Sequence, residues 1–229
     1  MTQISTDNYI YATILSTENY LPGVLKLYNT LKATHPNYSF VCFCSINIYQ
    51  SSILKLEAHN IKCIRFNRNA IDNIEELEHT KELAHWKYTF DKLLLFGQTQ
   101  YKKIVFLDSD MMVLENIDEL FTYKSFSAVA AGKLLHPSWN RLNSGSIVIE
   151  PNINIMNKLL SSINKVYTDR LKKGLSTGDQ DIINEFVPSW PIISELNLPE
   201  SYNIFFKNID LYHKKYGFKY LNTINDKSI

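Results

Sequence analysis

Apolar positions along the first hundred residues switch repeatedly between two periods. "YIYATIL" (9–15) is an unbroken apolar run of strand length. In the "YLPGVLKLYNTLKA" that follows, Val24, Leu27, Tyr28 and Leu31 fall at i, i+3, i+4 and i+7 of a helix. Pro22 stands in the first turn of that helix, where its missing N–H removes no bond. "SFVCFCS" (39–45) reads as a second strand, "YQSSILKLEAHN" as a helix and "IKCIRF" (61–66) as a third strand. Residues 67–84 are polar and weakly patterned, which predicts a loop with a short helix. "HWKYTFDKLLLFGQ" predicts a helix ending near Gly97, ahead of the strand "KIVFL". Strand–helix–strand order repeated in this way predicts an α/β protein whose largely parallel sheet is covered by helices on both faces.

The texture changes beyond residue 122. "FSAVAAG" and "SGSIVIEP" read as strands with no full helix between them, so the sheet is expected to become mixed there. A helix around 153–168 follows, and another opens at "GDQDIINEF". With no repeat, low-complexity tract or linker, one domain spanning 1–229 is expected.

Composition narrows the class. Lys plus Arg total 24 against 23 for Asp plus Glu, and that balance argues against a nucleic-acid partner, which calls for a basic excess or face. The start "MTQISTDNYIYATIL" has neither a basic segment nor a small-residue cleavage site. No apolar run approaches the ~18 residues of a membrane span. A cytoplasmic chain with no membrane partner is therefore expected. Cys42, Cys44 and Cys63 form no C-x-x-C pair, and Cys42 and Cys44 share one face of a strand; buried free thiols in a reducing compartment follow.

The chemistry concentrates in "KKIVFLDSDMMVLENIDELF" (102–121), where Asp108 and Asp110 follow an apolar run directly. On an extended segment, side chains two apart point to one side, which would set these carboxylates ~7 Å apart. Their repulsion at the end of a buried strand calls for a cation. Open parallel sheets bind ligands at the carboxyl ends of their strands, and hard carboxylate oxygens there suit a divalent ion. The bland alternative is a solvated turn in which Asp108 caps a helix.

These residues resemble glycosyltransferase family 8 and its glycogenin-like branch. "VFLDSDMMVLENIDELF" is similar to that family's aspartate–x–aspartate strand and trailing helix. "YLPGVLKLYNTLK", "FDKLLLF", "LNSGSIVIEP", "GDQDIINEF" and "LPESYN" match five further blocks, in the family's order, over residues 13–203. The resemblance implies a nucleotide-sugar transferase fold of the GT-A type, mostly parallel with a smaller mixed-sheet portion. It also implies a UDP-sugar donor, Mn2+ and transfer with retention of configuration. Glucose is the expected hexose and a hydroxyl the expected acceptor, on a glycan, a small molecule or a protein tyrosine; pairing into a homodimer is also expected.

Carried onto this chain, the resemblance makes Asp108 and Asp110 the metal ligands and lays Ser109 against the ribose. Ile14, Ser16, Thr17 and Tyr20 would hold the uracil, with Tyr20 stacked on the base or, alternatively, a core aromatic; "STEN" stands where relatives have threonine–asparagine–aspartate. Lys92 would neutralise donor phosphate or orient the sugar, the alternative being an exposed helix lysine. Asn143, Ser144 and Gly145 would contact the donor sugar, Gly145 by allowing close backbone approach. Asp179 and Gln180 would lie beside the anomeric carbon. Read structurally instead, Ser176, Thr177 or Asp179 caps a helix, and Asp181 lies on the surface.

The pattern breaks at its end. The family's late H-x-x-G-x-x-K-P-W histidine segment is absent, so the third metal ligand is missing and truncation of a longer protein is expected. His213 has the wrong spacing to replace it and reads as a surface histidine, and His35, His59, His79, His85 and His136 read as surface or structural. Tyr212, with Tyr216 close by, falls where glycogenin-like proteins carry a self-glucosylated tyrosine. Two other functions remain in view: an inactive or truncated UDP-sugar-binding module, and a transferase building another glycan such as a galactosyl conjugate. A sugar-phosphate nucleotidyltransferase would need a glycine-rich basic loop where "STENYLPG" stands. A dinucleotide oxidoreductase would need a G-x-G-x-x-G, and the chain has only 7 glycines.

Overall fold

A computed structural model describes residues 8–72 and 81–217, with backbone alone for 72 and 81–86. Part of the polar loop (73–80), His79, the His85 side chain and the C-terminal "NTINDKSI" lie outside the described residues. The strands are β1 (Tyr9–Leu15), β2 (Ser39–Ser45), β3 (Lys62–Phe66), β4 (Lys103–Leu107), β5 (Ala128–Val129) and β6 (Asn143–Ile149). The α-helices are α1 (Leu21–Ala33), α2 (Gln50–Ala58), α3 (Asn69–Asp72), α4 (Ile153–Leu171), α5 (Asp179–Phe186) and α6 (Ile209–Tyr216). The expected helix before β4 is present as consecutive 3-10 turns over Lys81–Gly97, and it does end at Gly97. Only two residues of "FSAVAAG" form a strand, because the chain turns away directly after Val129.

One six-stranded sheet results, in the order β3-β2-β1-β4-β6-β5. β1 to β4 are mutually parallel, and β6 runs antiparallel to both β4 and β5, so the expected mixed portion lies at one side. The chain leaves β1 towards β2 and β3, then crosses to β4 on the other flank of β1. The carboxyl ends of β1 and β4 therefore form the topological switch point of the sheet.

Strand alternation divides the core. Ile10, Ala12, Phe106 and Ile147 bury against the 81–97 segment, α4 and α5. Tyr11, Leu15, Val105 and Leu107 bury on the other face with α1 and α2. Cys42 and Cys44 are buried free thiols with their sulfurs 3.6 Å apart, as their shared face predicts. Among the described residues no helix is long and apolar enough to cross a membrane.

α1 packs unusually close to the turn that follows β4. A Cβ placed on Gly23 would lie 2.4 Å from the Ser109 carbonyl oxygen, a backbone atom that cannot rotate away. Glycine here is dictated by contact, although it weakens a helix. Gly23→Ala is expected to destabilise the fold by about 1–3 kcal/mol, against the roughly 1 kcal/mol that alanine gains at an unconstrained helical site. Urea denaturation checks it: a gain in stability would show that α1 and the turn can move apart freely.

Candidate active site

The strand β4 ends at Leu107, one residue before the first aspartate. Asp108, Ser109 and Asp110 lie in a turn closed by the Met111 N–H donating to the Asp108 carbonyl at 3.1 Å. The extended same-side geometry read from the sequence therefore does not apply; the reversal brings the carboxylates onto the rim of the sheet instead. Asp108 is held there from the side by β6, since its N–H donates to the Gly145 carbonyl at 2.8 Å. Antiparallel pairing of β4 with β6 thus delivers the start of β6, Asn143–Gly145, to the same edge as the end of β4.

Lys92 joins the parts. It belongs to the 81–97 segment and is buried, at 4% exposure, which excludes the exposed helix lysine. Its Nζ lies 3.1 Å from Asp108 Oδ1 and 3.0 Å from Asp179 Oδ2. It also donates to the Ser144 carbonyl at 3.0 Å and the Ser144 hydroxyl at 3.1 Å, and it stands 4.7 Å from the centre of the Phe106 ring. Burial works against this charge, but the carboxylates of Asp108 and Asp179 outweigh it and hold the ammonium above the ordinary lysine range.

Asp108 is placed between interior and solvent. Its Oδ1 faces Lys92, while the side chain remains 40% exposed. Desolvation pushes its carboxyl up to about 6; Lys92 opposes that rise, and Asp179 and Asp110 add to it. Asp108 and Asp179 thus share one ammonium, with Asp110 adding an excess of negative charge at the rim. Gly145, itself buried, lets three side chains close in on this corner. A Cβ there would meet Asn143 Oδ1 at 3.0 Å, Asn203 Nδ2 at 3.1 Å and Asp108 Oδ2 at 3.2 Å.

α5 brings its first turn to the cluster. Gly178, not Ser176, Thr177 or Asp179, is the capping residue, and its N–H donates to Asp181 Oδ2 at 3.0 Å. Asp181 is also paired with Arg170 at 3.0 Å, so it is a half-buried helix anchor rather than a surface acid. That frees Asp179, itself buried, to face Lys92; its N–H donates to Thr89 Oγ1 at 3.1 Å. Gln180 Oε1 accepts the Ser144 N–H at 3.3 Å. Lys92, Asp108, Asn143, Ser144, Gly145, Asp179 and Gln180 therefore form one contact network.

The residues after β1 are less fully absorbed. Ile14 is the penultimate residue of β1, and the Ser16 hydroxyl donates to Asp91 Oδ2 at 2.5 Å, while Asp91 Oδ1 accepts from Arg68 at 2.6 Å. Tyr20 is 41% exposed, so the core alternative falls. Thr17 precedes a short 3-10 turn. Glu18 beside it is committed elsewhere, accepting the Tyr49 N–H and the Ser52 hydroxyl, each at 2.6 Å, at the start of α2.

Three site-forming residues escaped the sequence reading. Asn203 donates to Asn143 Oδ1 at 2.7 Å, and Asn184 clamps Leu142 through its N–H and carbonyl at 3.0 and 2.8 Å. Arg68 is the third. The tyrosine–asparagine pair in "LPESYN" signalled Asn203; nothing in the local sequence signals the other two.

Among the described residues no group of three His, Cys, Asp or Glu side chains is arranged to hold a metal. His213 is exposed on α6. Asp108, partly exposed, and Asp110, exposed, offer hard carboxylate oxygens at this rim, the donor type that a divalent ion takes. Tyr212 is fully buried, whereas Tyr216 is exposed and donates to Glu200 Oε2 at 2.6 Å.

Solved structures with this fold include the galactosyltransferase LgtC bound to donor and acceptor sugar analogs, at a TM-score of 0.57 and 15% identity over 77% of this chain and 70% of that one. The glycosyltransferase GlyE of Streptococcus pneumoniae matches with a TM-score of 0.53 and 14% identity, over 90% of this chain and 50% of that one. These likenesses give the chain the GT-A fold. Among curated sequences, glycogenin-1 of Caenorhabditis elegans is 33% identical over 90% of this chain and 47% of its own length. Inositol phosphorylceramide glucuronosyltransferase 1 of Arabidopsis thaliana is 28% identical over 79% of this chain and 30% of its own length. These relatives support a glycogenin-like glycosyltransferase of family 8, and the chain spans less than half the length of either. No protein-family model matches it.

Removing the shared ammonium would strand Asp179 in the interior. Lys92→Met is expected to cost about 3–5 kcal/mol, the range for breaking a buried pair from one side. Adding Asp179→Asn should recover part of that loss, because the orphaned charge goes with it. Guanidinium denaturation of the single and double variants is the check, and strictly additive losses would contradict the coupling.

Proposed function

We propose that this domain is a retaining hexosyltransferase that moves a hexose, glucose in the first instance, from a UDP-sugar to a hydroxyl acceptor. The observation that carries the reading is the Lys92 junction, which gathers Asp108, Ser144 and Asp179 from three elements at the sheet's switch point. Likeness to glycogenin-1 and to a plant glucuronosyltransferase supports the nucleotide-sugar donor. The free, buried Cys42 and Cys44 support a reducing, cytoplasmic setting.

In this mechanism the uracil lies over the end of β1, against Ile14, Ser16, Thr17 and Tyr20, with the ribose against Ser109. Asp108 and Asp110 would hold a divalent ion, Mn2+ by family analogy. That ion supplies Lewis-acid stabilisation of the charge that develops on the diphosphate. Lys92 adds a fixed positive charge beneath the donor and locks Asp179 in place. Asn143 and Ser144 receive sugar hydroxyls, and Gly145 lets the backbone pass close beneath them.

Transfer takes place on one face of the sugar. The bond from the anomeric carbon to the phosphate oxygen breaks, and a bond to the acceptor oxygen forms on the same side. The acceptor's proton passes to the departing phosphate oxygen. Gln180, an amide and a poor nucleophile, lines the opposite face, and Asp179 orients sugar or acceptor hydroxyls. With its hydroxyl in the interior, Tyr212 is not the acceptor in this conformation.

UDP affinity is expected to rise on adding Mn2+ and to lose that gain with EDTA or in Asp108→Asn, as read by calorimetry. Asp179→Asn is expected to lower transfer turnover roughly 10²–10³-fold while changing UDP affinity less than about threefold, as for other losses of a preorganised polar group. Equal losses in both would overturn its assignment. Wild-type protein that binds UDP-glucose but releases no UDP would instead mark a binding module.

A further inference from the structure

We propose that Trp139 is the acceptor platform of this site, its exposed indole receiving the pyranose ring of a saccharide acceptor. The assignment rests on the transferase reading above and names its acceptor class as carbohydrate.

The loop that carries Trp139 begins and ends on the functional edge. It leaves the sheet after Val129, which is paired with Asn143, and returns at Asn143 itself. Gly132 within it has a φ of +84°, and a Cβ there would lie 2.8 Å from the Trp139 ring and 2.9 Å from the Phe205 ring. Glycine therefore leaves room for both rings to flank this position. Phe205 stands two residues beyond Asn203, which bonds Asn143 and borders Gly145 and Asp108. The indole and the edge where the donor sugar would lie are thus linked through the ends of this loop and the Asn203–Phe205 segment.

The indole rests against a neighbouring ring. The Trp139 backbone N–H donates to the His136 carbonyl at 2.8 Å, and the His136 ring lies 4.4 Å from the indole at 30°. Even so, Trp139 remains 50% exposed, while Trp190 is wholly buried. A half-exposed tryptophan holds apolar area that a ligand can cover, with only two side-chain torsions to order. A pyranose offers a matching C–H face with hydroxyls around its rim, and the exposed His136, Asn140 and Arg141 of the same loop are polar groups suited to those hydroxyls. A tyrosine side chain would use the same face but presents one hydroxyl to three polar neighbours.

Intrinsic fluorescence tests the platform without requiring turnover. Maltotriose, xylotriose, lactose and a tyrosine-containing hexapeptide are titrated into the wild type and Trp139→Phe. A saturable change with at least one saccharide, lost in Trp139→Phe, is expected. The saccharide giving the largest change then serves as acceptor with UDP-glucose and Mn2+. Trp139→Ala should raise its KM about tenfold with kcat within about twofold, and Trp139→Tyr should restore most of the loss, as for an aromatic contact. Silence with every saccharide, a response to the peptide alone, or an unchanged acceptor KM overturns the proposal. So does conversion of a dimer to monomer by Trp139→Ala in sedimentation, which would place the indole between copies. A saccharide response in a wild type that releases no UDP would sink the transferase reading and leave the platform standing.

Discussion

The carboxyl edge of this sheet depends on one buried ammonium. Asp108 reaches it from the end of β4, Ser144 from the start of β6 and Asp179 from the first turn of α5, all within about hydrogen-bond distance of Lys92 Nζ. Neither carboxylate could be brought inward alone, because an unpaired buried charge costs several kcal/mol. Pairing both with one cation makes their positions mutually dependent. The docking of α5 is then tied to the turn after β4, although 71 residues separate Asp108 from Asp179. The start of α5 suits this arrangement electrostatically as well, since Asp179 and Asp181 both lie in its first turn, where backbone N–H groups favour negative charge.

Space is governed by a different device. At Gly23 the absent side chain lets α1 press on the Ser109 carbonyl, which fixes the aspartate turn from one side. At Gly145 it lets Asn143 Oδ1, Asn203 Nδ2 and Asp108 Oδ2 come within 3.0–3.2 Å of the place a Cβ would take, on the other side of the same turn. Both glycines thus permit close contact, one with backbone and the other with side chains. The aspartate turn is thus rigid where it meets the protein and uncovered where a ligand would approach.

Much of the sheet was legible because apolar period and length define buried strands, and β1, β2 and β6 begin and end close to where the pattern places them. The blocks "FDKLLLF", "LNSGS" and "GDQDI" also pointed to residues that do meet. What the sequence could not convey was direction and depth. Asp108 and Asp110 read as extended because a five-residue strand followed by a tight turn has the same apolar flanks as a longer strand. Lys92 read equally well as solvent-facing, since its burial depends on two acids distant in sequence. Asp181 read as surface because its partners, the Gly178 N–H and Arg170, become neighbours only once α4 and α5 pack together. Tyr212, in an exposed-looking basic helix, is buried by tertiary contacts that no local pattern encodes.

Adjacent residues of one segment separate structure from chemistry. Asp91 is buried and fully engaged, with Arg68 at 2.6 Å on one oxygen and the Ser16 hydroxyl at 2.5 Å on the other. That network pairs one guanidinium with one carboxylate, and it anchors the end of β1 to the 81–97 segment. Lys92, the next residue, enters a network that remains unbalanced, since Asp108, Asp179 and nearby Asp110 together outnumber it. The unbalanced group lies at the rim, with Asp108 partly exposed. A charge excess in the interior would destabilise the fold without compensation, whereas at an open rim a cationic or cation-bearing ligand can relieve it. The proposed donor site accordingly lies beside Asp108, where such a ligand would gain binding free energy.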